Sequence, residues 1–128
     1  MSNATNKTHR WTLIAIDHVQ LAMPIGGEDV ARAFYVDVLG LVEEPKPAVM
    51  AARGGCWFSY GAVQLHLGAE ADFRAARKAH PALLMRGLDG FIHETGLVAN
   101  WSDEIPGTHR CHIDDPFGNR IELIEAGQ

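Results

Sequence analysis

The chain repeats itself. His18-Val19-Gln20-Leu21-Ala22-Met23 is answered 62 residues later by His80-Pro81-Ala82-Leu83-Leu84-Met85. Gly40-Leu41-Val42 is answered 56 residues later by Gly96-Leu97-Val98, and Val63-Gln64-Leu65 58 residues later by Ile121-Glu122-Leu123. In a chain of 128 residues this leaves room for two copies of one supersecondary unit and no third. The fall in offset from 62 to 56 says that the helix of the second copy is shorter by more than one turn of ~3.6 residues.

The unit can be spelled out. Residues 12–23 are rich in β-formers and stop at Pro24, which predicts a strand. Val30, Phe34 and Val38 recur at helical spacing, with Glu28 and Asp29 in the first turn and Gly40 at the end, which predicts a helix over 27–39. Residues 41–44 and 48–53 read as short strands, and 56–60 with 62–68 as a hairpin turning near Gly61. A charged, alanine-rich linker over 70–78 with about one helical turn follows. Strands are then expected over 80–85, 97–101, 108–113 and 120–125, with a short helix over 88–94 and dense turn chemistry in Asp114-Asp115-Pro116-Phe117-Gly118-Asn119. The expected fold class is α+β, two βαβββ modules forming a curved, mostly antiparallel sheet. The modules span about 12–68 and 80–126 with 69–79 between them. Together they make one domain over 11–127 behind a flexible tail of residues 1–10.

Strand side chains alternate between faces. Val19, Leu21 and Met23 leave His18 and Gln20 opposite; Val63, Leu65 and Leu67 leave Gln64 and His66 opposite. In the second copy Leu83 and Met85 leave His80, while Ile121 and Leu123 leave Glu122. Ligand-capable groups therefore stand at repeat-related positions on the face away from the helices. Two imidazoles and one carboxylate suit Fe(II), Mn(II), Ni(II) or Zn(II) and leave coordination positions open. One divalent ion of unspecified identity is the expected cofactor, and Glu122, the only acid in the set, is the expected catalytic group.

Ile16-Asp17-His18-Val19, the stretch Phe34-Tyr35-Val36-Asp37-Val38-Leu39-Gly40-Leu41, His80-Pro81-Ala82 and Asp115-Pro116-Phe117-Gly118-Asn119-Arg120-Ile121-Glu122-Leu123 together resemble the vicinal oxygen chelate superfamily of glyoxalases, bleomycin-resistance proteins and extradiol dioxygenases. The resemblance runs from about residue 12 to 126. It implies metal ligands on the first and last strands of each module, here His18, Gln64, His80 and Glu122. Glyoxalase-like members carry a carboxylate where this chain has Gln64, a weaker ligand that cannot take a proton. The reaction implied first is isomerase or lyase chemistry on a small oxygenated substrate held through adjacent oxygens. The alternatives are a binding or sequestering protein of the bleomycin-resistance type, a thiol transferase and an extradiol-type dioxygenase. The resemblance also implies a homodimer, often with the site between subunits.

Either Gln64 or His66 could complete a shell, since both lie on one face. Repeat symmetry favours Gln64; imidazole chemistry favours His66, otherwise expected in the pocket wall against substrate with Gln20. Arg74, Arg77 and Lys78 would gather on one helical turn, where Arg74 and Arg77 could hold a substrate carboxylate or phosphate. A net charge of −5 gives no footprint for nucleic acid or an anionic membrane, so a small-molecule partner is expected. No apolar run reaches the ~18 residues of a membrane span, and the polar start predicts a cytoplasmic protein. Cys56 and Cys111, without close Cys or His partners, are expected as reduced, buried thiols.

Overall fold

The computed structural model describes residues 10–127, so most of the expected tail lies outside the described residues. The elements are Val19–Pro24 (β1), Glu28–Tyr35 (α1), Val42–Glu44 (β2), Ala48–Ala51 (α2), Cys56–Tyr60 (β3) and Val63–Glu70 (β4). The second series is Ala82–Met85 (β5), Leu88–Thr95 (α3), Asn100–Ser102 (β6), Arg110–Asp114 (β7) and Arg120–Glu125 (β8). This is an α+β fold of two βαβββ modules. Each forms a four-stranded mixed sheet, in the orders β1-β4-β3-β2 and β5-β8-β7-β6. Within each sheet the hairpin pairings are antiparallel, and the first strand lies parallel to the last because α1 or α3 carries the chain across between them.

Local differences from the sequence reading have local causes. The first strand begins at Val19 rather than residue 12; Val63, the first residue of β4, stands level with residue 17, so residues 12–16 have no β4 partner to join. Leu13, Ile14 and Ile16 are instead 97%, 94% and 80% exposed. Residues 48–51, expected as extended, form one helical turn behind Pro47, consistent with the high helix propensity of alanine. The linker over 71–79 contains no helix; its backbone is held from outside, as Arg120 N donates to Ala76 O and Ala76 N donates to Asn119 Oδ1. α1 is regular only to Tyr35 and then widens through bonded turns, with Asp37 N donating to Arg32 O and Leu39 N to Phe34 O, as far as Gly40, whose positive φ of 84° ends it.

One hydrophobic core joins both modules. Tyr35, fully buried, stacks on Phe58 at 5.4 Å, and its hydroxyl donates to Asp115 Oδ2 at 2.7 Å across the module boundary. Burying a side chain of this size contributes about 2–3 kcal/mol. Asp115 also accepts from the backbone N–H groups of Phe117 and Asn119, which closes the turn before β8. Asn119, fully buried, donates through Nδ2 to Ala22 O at 2.8 Å and to Asp115 Oδ2 at 3.0 Å. One amide therefore ties β1, the linker and the second module together. Gly55 serves a comparable close approach: at φ 87°, a Cβ there would lie 2.1 Å from Leu67 O. Cys56 and Cys111 are buried free thiols, and burial, partly countered by Arg32, pushes the Cys56 thiol up to about 11.

Candidate metal centre

Two adjacent strands of the second module, with the segment leading into a third, place His80, His112 and Glu122 within reach of one another. Glu122 lies in the middle strand β8, directly opposite His112 of β7 and beside Ala82 of β5, with His80 two residues before it. Their ligand atoms all lie within 4.8 Å. His80 Nε2 is 3.0 Å and His112 Nε2 3.7 Å from the same oxygen, Glu122 Oε1.

The hydrogen bonds fix what these atoms can do. His80 Nδ1 is 2.7 Å from Lys78 O, an acceptor only, so Nδ1 carries the hydrogen and donates. In neutral imidazole Nε2 then has a bare lone pair facing a carboxylate oxygen. Two lone pairs so placed call for a cation between them, a proton or a metal ion, with a backbone carbonyl orienting the imidazole from behind. Oε2, the other oxygen, accepts from Arg110 Nη1 at 2.9 Å, and Arg110 Nη2 donates to Ser102 Oγ at 3.0 Å. Burial pushes the Glu122 carboxyl up, but the contact with His80, a hydrogen bond when a proton is the cation between them, together with the hydrogen bond from Arg110 and its charge, outweighs it, so its pKa falls below the ordinary value. Burial lowers the pKa of His112, opposed in part by Glu122, which favours the neutral, ligand-competent imidazole.

The sequence reading had not singled out His112. The signal was present, since Cys111 and Ile113 are both buried and alternation turns His112 to the face of Glu122.

In the first module the corresponding positions carry rings. Parallel pairing sets Gln20 opposite His66 in β1–β4 and Ala82 opposite Glu122 in β5–β8. The antiparallel pairing sets Trp57 opposite His66 as it sets His112 opposite Glu122. Superposed by register, His18 stands for His80, Trp57 for His112 and His66 for Glu122. The buried triplets 65–67 and 121–123 coincide in the same frame. The pairing therefore matches Glu122 to His66, two residues along from Gln64. His66 is sandwiched between His18, with centroids 4.0 Å apart, and Trp57, 4.3 Å apart, all nearly parallel. Burial and then the neighbouring His18 lower the His66 pKa. His18 Nδ1 donates to Asp17 Oδ2 at 2.9 Å.

Gln64 is exposed and opposite Ser59, and it lines a cavity of about 410 Å³ with His18, Ala82, Leu83 and Leu84. Ile16, Val19, Ala82 and Leu83 are shared with a second cavity of about 570 Å³ that reaches Gln20, Arg74 and His80. A single groove thus runs between the edge strands β1 and β5, from His18 and Gln64 at one end to His80 at the other. Gln20 packs its amide over Gly68, where an added Cβ would come within 2.6 Å of it. Arg74 lines the groove, whereas Arg77 is exposed on the linker outside that lining. Among the described residues no helix is long and apolar enough to cross a membrane.

Fold and site together define a paired βαβββ protein with a His, His, carboxylate cluster on its second sheet. A solved structure from Bacillus anthracis, described as a glyoxalase family protein, is 41% identical over 93% of this chain and all of that one, with a TM-score of 0.87. At 12% identity the fosfomycin resistance protein FosX from Listeria monocytogenes aligns over 91% of this chain and 96% of its own, TM-score 0.70. Lactoylglutathione lyase from Agrobacterium tumefaciens, 21% identical, aligns over 88% and 93% with a TM-score of 0.63. These last two share the fold. No protein-family model matches the sequence, and no curated protein matches it. The chain belongs to the glyoxalase family, within the vicinal oxygen chelate superfamily.

Proposed function

We propose that this protein is a metal-dependent enzyme of the glyoxalase family that isomerises or cleaves a small oxygenated substrate. The observation that carries the reading is the convergence of His80 Nε2 and His112 Nε2 on Glu122 Oε1, with His80 Nδ1 committed to Lys78 O. His80, His112 and Glu122 would hold the ion, and the donor set suits Zn(II), Ni(II), Mn(II) or Fe(II). When bound, the ion supplies a Lewis acid for two adjacent substrate oxygens and for the charge that develops on them. Glu122, the carboxylate of the cluster, would move the proton from the carbon beside the substrate carbonyl to the neighbouring carbon. Arg110 on Oε2 keeps this carboxylate ionised at neutral pH, so that it begins the cycle as a base. The groove between β1 and β5 holds the body of the substrate against Val19 and Leu83, with Gln20 along it and Arg74 placed for an anionic substituent. His66 supports the His18 end through the ring stack, and Arg77 adds positive charge beside Arg74. His18 and Gln64, which stand away from the cluster, line the groove in this reading.

We also propose a homodimer and a cytoplasmic, nucleic-acid-free and membrane-free setting. Support for the dimer is that among the described residues β1 and β5 are both open sheet edges, and open edges are ordinarily paired or covered. Sedimentation at micromolar concentration tests it; a species of single-chain mass alone refutes it. For the activity, protein freed of metal is titrated with each of the four ions and then assayed on small α-hydroxycarbonyl compounds. One ion per chain with turnover supports the reading. No uptake of any ion refutes it and favours a sequestering protein that uses the groove alone.

A further inference from the structure

We propose that Arg110 is a positioning residue that withholds one oxygen of Glu122 from the metal centre, so that the carboxylate engages through Oε1 alone and a coordination position stays open for substrate. The inference rests on the metal-centre reading above and concerns a residue outside the donor set.

Arg110 leads into β7 two residues before His112, on the same face of the strand, and its side chain is only 11% exposed. Its guanidinium is fixed at two points, Nη1 to Glu122 Oε2 at 2.9 Å and Nη2 to Ser102 Oγ at 3.0 Å, with Glu104 3.9 Å beyond. Arg110 Nε is buried with no hydrogen-bond partner among the described residues. An orphaned buried donor carries a desolvation cost, so the guanidinium is held by its two terminal contacts against that cost. Ser102 thus acts on Glu122 through Arg110, from the edge strand β6.

A free carboxylate beside a divalent ion can bind through one oxygen or both. Two imidazoles and one carboxylate oxygen leave positions open, and a second carboxylate oxygen would occupy one of them. Oε1 already faces both imidazole nitrogens, and Oε2 turns away into a charge-assisted hydrogen bond with a cation that cannot deprotonate. For Oε2 to join the ion, that buried bond would have to break. Arg110 thereby selects the binding mode of Glu122 and preserves the room in which a substrate oxygen can bind.

The test is water-proton relaxation of the Mn(II)-loaded protein, which reports exchangeable waters on the ion, together with Mn(II) affinity. In Arg110→Met we expect affinity to stay within about tenfold of wild type and the relaxation enhancement to fall by the share of one bound water. Arg110→Lys, which keeps a cation within reach of Oε2, should restore the wild-type enhancement. A merely structural role predicts the opposite pattern, the ~10–100-fold loss of affinity common for groups that orient metal ligands, with hydration per bound ion unchanged. That pattern, or a Lys variant indistinguishable from Met, overturns the proposal. Should Arg110→Met fail to fold, Arg110→Gln takes its place with the same expectations. Wild-type protein that takes up none of Zn(II), Ni(II), Mn(II) and Fe(II) overturns the metal-centre reading and this inference with it, whereas wild type that binds Mn(II) while all variants keep its hydration overturns this inference alone.

Discussion

Replacing Asn119 by Ala removes three hydrogen bonds and nothing from the metal cluster. Its side chain is fully buried, donates to Ala22 O and Asp115 Oδ2, and accepts from Ala76 N. The two neutral bonds are worth about 1 kcal/mol each and the bond to the carboxylate about 2 kcal/mol. Ala22 and Ala76 are only partly buried, so water can recover some of this and the expected loss is roughly 2–4 kcal/mol. For a chain of 128 residues the melting entropy is on the order of 270 cal/mol/K, so the midpoint should fall by roughly 7–15 °C. Asn119→Asp should be at least as damaging, because its second oxygen would face the Ala22 carbonyl and the Asp115 carboxylate. Calorimetry and urea unfolding of the metal-free protein measure the loss, with exposed Asn100→Ala as a control expected within about 0.5 kcal/mol of wild type. A loss below about 1 kcal/mol in Asn119→Ala would refute the claim that this amide ties β1, the linker and the second module together.

His112→Ala should weaken metal binding at least about 100-fold while His18→Ala changes it less than about threefold, both read by isothermal titration; equal losses would contradict the donor set. Because His18, Trp57 and His66 occupy the positions of His80, His112 and Glu122, the double variant Trp57→His with His66→Glu should raise the bound metal from one to two ions per chain. A stoichiometry unchanged in a folded variant would show that the register match does not extend to ligand geometry. His66 predicts a pH dependence: its folded pKa lies below the ordinary 6.5, through burial and then His18, with Asp17 opposing and Lys46 adding to the shift. The unfolded chain therefore binds the proton first, and this stability, present above pH 6.5, is lost as pH falls through the folded pKa. His66→Phe should keep the stack and lower the slope of stability against pH below 6.5 by up to ~1.4 kcal/mol per pH unit, a difference absent at pH 8; equal slopes would place the proton elsewhere.

The sequence by itself determined the repeat, the order of elements, the α+β class and the family resemblance, because each is written in local periodicity or in a contiguous motif. Phe34 and Tyr35 in the helix, Asp115 and Asn119 in the turn, and the alternation around His80 and Glu122 all act within a few residues of themselves. Alternation has a period of two, so it assigns a side chain to a face and says nothing about its place along that face. Gln64 and His66 share a face for this reason, and only the hydrogen-bonded register with β1 and β3 puts His66, packed between two rings, at the position of Glu122. The same limit hid His112 and Arg110, whose partners lie across the β7–β8 ladder and on β6. Residues 12–16 show the converse: their composition favours a strand, but a strand forms only where another strand offers its N–H and C=O groups, and β4, whose first residue stands level with residue 17, does not extend that far.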